Sequence, residues 1–157
     1  MKRVLVVVLI GLVFLSVNAF AAIGLGIGAA FNLELFREQG VYPGAAISIS
    51  PPKLPIVFGA GAVIGSSSTV IGITADWWLV QQKLVGIVGI YTGPGLYLRI
   101  ADPFEFGLRI PVGFQIFPLK PLEVFVEVTP QLGIGFGDPI VFPQITLVGA
   151  IGCRFWF

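Results

Sequence analysis

The sequence predicts an all-β chain: an eight-stranded antiparallel up-and-down transmembrane β-barrel (a meander) with short turns. Three observations predict it. Apolar residues alternate with glycine and other small or polar residues at a period of two along the chain after residue 21. Short segments rich in proline, glycine and serine divide this alternation into eight stretches. The charges of these stretches lie on the glycine face, and the remaining charges lie in the turns.

We interpret residues 1–21 as a secretory signal peptide and residues 22–157 as the barrel domain. Lys2 and Arg3 precede an apolar core, and Ala19-Phe20-Ala21 has the pattern of a cleavage site. The alternative is a transmembrane helix that continues into the mature chain. The glycines at alternate positions after the cleavage site would cost such a helix about 1 kcal/mol each, which favours the signal peptide.

The first predicted strand, AIGLGIGAAFNLE (22–34), shows the alternation that defines the others. Its odd positions are apolar, and its even positions are glycine, alanine, Asn32 and Glu34. Because successive side chains of a strand point to opposite faces, one face is apolar and the other is small or polar. The same division predicts seven further strands, at about 41–50, 55–64, 69–79, 85–100, 105–117, 122–134 and 144–157.

The strands differ in what their small face carries. In the second, third and fourth strands it is mainly glycine, alanine, serine and threonine, whereas in the fifth to eighth it also carries tyrosine, arginine and glutamate. Each boundary is a turn-type segment. The predicted turns are REQG, PPKL, GSSS, QQK, ADPF, PLKP and the longer GDPIVF.

Two barrels fit this alternation, a soluble lipocalin-like barrel with apolar residues inside and a membrane barrel with apolar residues outside. The interior of eight strands is just wide enough for side chains to fill, and about forty branched or aromatic residues do not fit there. A lipid-facing arginine or lysine at mid-bilayer would cost about 2–4 kcal/mol, and the apolar face carries none. We therefore predict a membrane barrel with these charges in its lumen: Glu34, Asp76, Arg99, Glu105, Arg109, Glu123, Glu127 and Arg154.

Composition excludes several classes of function. The chain is 56% hydrophobic and 11% charged, so it cannot cover a water-facing surface with charge. Its formal net charge of +1 gives no basic surface for nucleic acid. Histidine is absent, which excludes a histidine base or metal ligand, and the single cysteine, Cys153, excludes an intrachain disulfide. We expect no catalysis, no cofactor and no bound metal.

The lumen charges have a catalytic and a structural interpretation. Two carboxylates could form a glycosidase pair, but a charge in a narrow barrel is costly unless it is paired, which favours a structural network. Ordered by height, three pairs are expected: Arg99 with Glu105 near the outer rim, Arg109 with Glu127 at mid-height, and Arg154 with Glu123 near the periplasmic rim. Asp76 is expected to have only polar neighbours. The predicted lumen charge network is Asp76, Arg99, Glu105, Arg109, Glu123, Glu127 and Arg154.

Aromatic residues near strand ends predict membrane-interface anchors. These are Trp77, Trp78, Phe136 and Phe142, although the alternation also points Trp78 inward. Phe155 and Phe157 lie on the outward face, where an aromatic girdle belongs, whereas Trp156 points into the lumen. Cys153 is expected to face lipid and to be inert. We predict Trp77, Phe155 and Phe157 as assembly signal and girdle.

An exported chain that ends in Phe157, with Ile151, Cys153 and Phe155 at alternate positions before it, resembles a small eight-stranded bacterial outer-membrane β-barrel protein. This resemblance implies an integral outer-membrane location and recognition of the terminal strand by the barrel-assembly machinery. The stretches RIPVGFQIFPLKPLEVFVEVTPQLGIGF (109–136) and ADWWL (75–79) also resemble an uncharacterised spirochaetal outer-membrane barrel family. Neither resemblance implies an activity.

These inferences predict a monomeric barrel with a side-chain-filled lumen and a structural or surface-interaction role. Its partners would be outer-membrane lipids, the assembly machinery during biogenesis and an unidentified surface ligand. One alternative is a narrow, porin-like pore for small solutes or ions, which the inward Tyr91, Tyr97 and Phe125 disfavour. The other is an adhesin that binds a host or environmental ligand through its loops, of which only 135–143 is long.

Overall fold

The computed structural model describes residues 24–37, 40–65 and 69–157, and the predicted signal peptide lies outside them. These residues form one antiparallel sheet of eleven strand segments and contain no helix long and apolar enough to span a bilayer. The segments are β1 (Gly26–Arg37), β2 (Gly40–Ser50), β3 (Ile56–Ile64), β4 (Thr69–Trp77), β5 (Val80–Val85), β6 (Val88–Thr92), β7 (Gly95–Ile100), β8 (Phe104–Arg109), β9 (Val112–Leu119), β10 (Leu122–Phe136) and β11 (Val141–Trp156).

Eleven segments make eight wall-forming strands, because three strands are interrupted. β4 continues into β5, β6 into β7 and β8 into β9. Two of the interruptions contain a proline, Pro94 and Pro111, which has no N–H to donate to the ladder. The sheet remains joined there through carbonyls: Trp77 N–H donates to Pro94 O at 2.9 Å, and Ile110 N–H donates to Pro130 O at 3.1 Å.

The sheet closes on itself, which confirms the predicted eight-stranded antiparallel barrel. Around the ring the order is β11, β1, β2, β3, β4, β7, β8 and β10, and β10 pairs again with β11. The closing ladder places Glu123 opposite Arg154 and Gln131 opposite Thr146. In this order β1 lies diametrically opposite β7, and β4 lies opposite β11. These two relationships determine which side chains meet across the lumen.

Burial follows the predicted alternation, with large apolar side chains exposed on the outside and small, charged or aromatic ones inside. Several sequence-based boundaries need correction. QQK lies within β5, and the turn is at 86–87, where Gly86 has a φ of 58°. The seventh predicted strand runs to Phe136 instead of 134, and the eighth begins at Val141 instead of 144, because a barrel strand continues while its neighbours can pair with it.

The barrel has two ends, which we call terminal and distal. The terminal end holds Phe157 and the connections 51–55, 86–87 and 120–121, and the distal end holds the connections 101–103 and 137–140, the end of β1 and the end of β3. β3 pairs with β4 only as far as the Ile56–Trp77 pair. Among the described residues, β5 therefore pairs with β6 alone and has one open edge at the terminal end.

Candidate functional site in the barrel lumen

At the distal end, an ion pair crosses the lumen. Arg99 of β7 pairs with Glu34 of β1, which lies on the opposite wall. Arg99 Nη1 also lies 3.9 Å from Glu105 Oε2, and the Tyr97 hydroxyl donates to Glu105 Oε1. All four side chains are buried. The contact spans the barrel because the interior of eight strands is only as wide as two facing side chains.

At mid-height, Arg109 is shared between two carboxylates. Arg109 Nε lies 3.0 Å from Asp76 Oδ1, and Arg109 Nη2 donates to Glu127 Oε1 at 3.1 Å. The Thr129 hydroxyl donates to the same Glu127 oxygen at 2.7 Å. The contact to Asp76 is close, but its Nε–H is not aimed at the oxygen, so it is an ion pair without a hydrogen bond.

Gly95 makes the contact between Arg109 and Asp76 possible. The strand registers place Asp76, Gly95 and Arg109 side by side on β4, β7 and β8. A Cβ at Gly95 would lie 2.1 Å from Asp76 Oδ1 and 2.9 Å from Arg109 Cγ. The two side chains therefore meet above this glycine, and any larger residue would separate them.

The same arrangement recurs at Tyr91, whose ring lies over Gly113 on the neighbouring strand. A Cβ at Gly113 would lie 2.1 Å from Tyr91 Cζ. The Tyr91 hydroxyl passes this glycine and donates to Glu127 Oε2 at 2.7 Å. On its other side the ring stacks on Trp78, with centroids 4.1 Å apart.

At the terminal end, Arg154 of β11 lies within a cluster of aromatic rings. Its Cζ lies 4.7 Å from the centroid of Trp78, 4.9 Å from that of Phe125 and 5.7 Å from that of Trp156. Arg154 Nη1 donates to Glu123 Oε1, and Trp156 Nε1 donates to Glu123 Oε2, both at 2.8 Å. Trp78 follows β4, which lies opposite β11, so this cluster also crosses the lumen.

A cavity of about 120 Å³ lies between the two crossings. Small side chains of β1 to β4 form one wall, and the charged and aromatic residues described above form the other. Its residues include Glu34 and Arg99 at one end and Trp78, Phe125 and Arg154 at the other. Side chains thus cross the lumen at two levels, and the small cavity lies between them.

The structure brings together all three predicted ion pairs and changes two expectations. Asp76 was expected to have only polar neighbours, but the Gly95 gap lets it reach Arg109. The alternation predicts no ion-pair partner for Glu34, yet Glu34 pairs across the diameter with Arg99. In the described part of the chain, no three histidine, cysteine, aspartate or glutamate side chains are grouped to hold a metal ion.

The structure places the predicted girdle residues Trp77, Phe155 and Phe157 on the outer surface at the terminal end. The rings of Phe155 and Phe157 lie 4.9 Å apart. The interface-anchor prediction was wrong for Trp78: Trp77 is 45% exposed and Trp78 is 7% exposed, because neighbouring residues face opposite sides of the wall. Cys153 is exposed on the outward face.

No protein-family model and no curated protein matches the chain, so the resemblance to a spirochaetal family stays a prediction. One solved structure with a similar fold is the crystal structure of Neisserial surface protein A (NspA). It has a TM-score of 0.58 and 15% sequence identity, over 85% of this chain and 96% of that chain. At 15% identity the similarity shows the fold alone, and the fold that the two chains share is the β-barrel.

Proposed function

We propose that the protein is an integral outer-membrane barrel with a side-chain-filled lumen, a structural or surface-interaction role and no catalytic activity. The observation that carries the proposal is the pair of contacts that cross the lumen, Glu34 with Arg99 and Arg154 with Trp78. A water-filled passage would have to avoid both contacts within a ring of eight strands.

The outer surface supports a location in a membrane. Soluble monomers rarely expose apolar patches larger than a few hundred Å², whereas here large apolar side chains are exposed on every strand of the ring. Among the side chains that the structure describes, no charged one is exposed on this surface within the strands of the ring. Representative exposed side chains, from β1 to β11, are Ile27, Phe31, Ile47, Phe58, Ile73, Leu96, Leu108, Val128 and Ile151.

The predicted export signal and the NspA-like fold support the outer membrane in particular. Closed barrels suit a bilayer because every backbone group within the hydrocarbon is paired. In the proposed orientation the terminal end faces the periplasm, where the assembly machinery would meet the C-terminal strand. We propose a monomer, since the ring closes within one chain.

The proposal of no catalysis rests on how the lumen carboxylates are used. Glu34, Asp76 and Glu105 contact arginines, as do Glu123 and Glu127. Paired carboxylates of this kind satisfy the desolvated arginines. Glu34, Asp76 and Glu127 line a cavity of about 120 Å³, which is too small for a sugar substrate and its attacking water.

A narrow pore is the second candidate, and the cavity is the observation that favours it. The cavity is lined by residues of both crossings, and Asn32, Ser48 and Thr74 also line it. Movement of the Arg99 and Trp78 side chains would connect it to both ends. The pore proposal therefore requires both crossings to open in the unmodified protein.

Conductance in planar bilayers separates the two candidates. We expect the unmodified barrel to give no stable unitary currents, and neither Arg99→Ala nor Trp78→Ala alone to give them, because each leaves one crossing intact. The double variant should conduct. Heat-dependent migration on detergent gels verifies that each variant is folded. Reproducible currents from the unmodified barrel would overturn the filled-lumen proposal in favour of the pore.

A further inference from the structure

Three exposed lysines distinguish the terminal end from the distal end. Lys53, Lys83 and Lys120 each lie in or beside one of the three hairpin connections at the terminal end. The only other lysine of the chain, Lys2, lies in the predicted signal peptide. Among the described residues, the exposed acidic side chains, Asp102 and Asp138, lie at the distal end.

No acidic side chain in the described ranges offsets these lysines locally. Glu123 is the one carboxylate side chain near the terminal end, and it is fully buried against Arg154. None of the three lysines makes an ion pair with a described residue. The surface at this end is therefore basic.

Each lysine is adjacent in sequence to an exposed leucine. Leu54 is 52% exposed, Leu84 is 48% exposed and Leu119 is 62% exposed. A lysine whose neighbour is an exposed apolar side chain is typical of the boundary between hydrocarbon and headgroups, where the ammonium extends to the polar side. The unpaired backbone groups along the open edge of β5 cannot lie in hydrocarbon. Lys83 is part of β5, so it also lies at the level of the headgroups.

Backbone geometry at Lys53 points to the importance of its side chain. Lys53 has a φ of 66° in the β2–β3 turn, a conformation that costs a residue with a Cβ about 1 kcal/mol. Gly86 occupies the positive-φ position of the β5–β6 turn at no such cost. The β2–β3 turn thus carries a lysine where glycine would be less strained.

We propose that these three lysine–leucine pairs bind anionic phospholipid headgroups in the leaflet at the terminal end. The three hairpin connections lie between successive strand pairs around this rim, and residues 24–25 and Phe157 lie between the remaining pair. Each lysine ammonium contacts a lipid phosphate while the adjacent leucine contacts the acyl chains. A lysine near an anionic surface contributes about a five-fold gain in binding, so three together give on the order of a hundred-fold.

The test uses the full barrel folded in uncharged detergent micelles and titrated with phosphatidylglycerol or phosphatidylcholine, with retained lipid measured by native mass spectrometry. We expect a preference for phosphatidylglycerol that falls on the order of a hundred-fold when all three lysines become glutamine. Replacement of all three by arginine should preserve it.

Two results would overturn the proposal. One is an unchanged preference in the folded triple glutamine variant, and the other is an equal loss in the triple arginine variant, which keeps all three positive charges. If the triple variant does not fold, the single variants Lys53→Gln, Lys83→Gln and Lys120→Gln decide. Each should lose about five-fold, and no loss in any of them would reject the site.

Discussion

Arg109 Nε lies 3.0 Å from Asp76 Oδ1 across a strand that carries only Gly95 at that level. The same guanidinium donates to Glu127 at 3.1 Å. One arginine therefore holds two carboxylates from strands on either side of it. Removing a buried arginine leaves both carboxylates without their cation, and a buried unpaired charge is among the most destabilising changes in a protein.

We expect Arg109→Ala to lower the free energy of unfolding by about 3–5 kcal/mol. Adding Glu127→Gln should recover part of that loss, and adding Asp76→Asn as well should recover more. Urea unfolding in micelles, followed by tryptophan fluorescence, measures these values.

Glu123→Gln is the control, since Glu123 pairs with Arg154 and its effect should be additive with that of Arg109→Ala. Additivity of Arg109→Ala with Glu127→Gln would show that these two residues are not coupled.

Gly95→Ala tests the passage between Asp76 and Arg109. The new methyl group would lie 2.1 Å from Asp76 Oδ1, so the pair must separate. We expect a loss of about 1–3 kcal/mol, as for other overpacked sites. Gly72→Ala is a matched control on the adjacent strand: it also faces the lumen, but its methyl group would meet no atom closer than 3.9 Å. Similar losses for the two variants would mean that the cost comes from the backbone and not from the ion pair.

Tyr91→Phe removes one hydrogen bond and keeps the ring. The hydroxyl donates to Glu127 at 2.7 Å, and the ring remains free to stack on Trp78. A hydrogen bond to a charged acceptor contributes about 1.5–3 kcal/mol, and we expect a loss of that size in urea unfolding. Tyr42→Phe is the control, because the Tyr42 hydroxyl makes no hydrogen bond with the described residues. An unchanged stability for Tyr91→Phe would remove Tyr91 from the network.

The sequence predicts the wall of this barrel better than its interior. Wall positions follow from a local rule, since a period of two assigns each residue to one face, as Trp77 and Trp78 illustrate. The three expected ion pairs could be predicted because their partners lie on neighbouring strands. The Glu34–Arg99 contact could not be derived in this way, because it joins opposite walls and depends on strand stagger as well as order.

The glycines illustrate the same limit. Their alternation predicts a narrow lumen lined by small residues, but it does not say which glycine lies beneath which side chain. The Arg109–Asp76 contact lies over Gly95, and the Tyr91 ring lies over Gly113. Gly72, in contrast, faces open space. This distinction depends on register, and a shift of one residue would move each side chain to the other face. QQK likewise lies within β5 and not in a turn, because polar residues occur in strands as well as in turns.

The C-terminal aromatics provide the last test. Phe157 N–H donates to Leu25 O at 2.9 Å, and its exposed ring lies beside Phe155, whereas Trp156 donates to buried Glu123. We expect Phe157→Asp to reduce the amount of barrel inserted in the outer membrane, because an aspartate is unfavourable at the apolar edge of the wall and removes the aromatic terminus. Phe157→Tyr should insert normally, since tyrosine is also favoured at the interface. Trp156→Ala should insert nearly normally but lose stability to urea, because Glu123 loses a hydrogen-bond donor.

The inserted yield is measured by quantifying heat-modifiable barrel in outer-membrane fractions. Equal, near-normal yields for Phe157→Asp and Trp156→Ala would show that the terminal aromatic ring is not required for insertion.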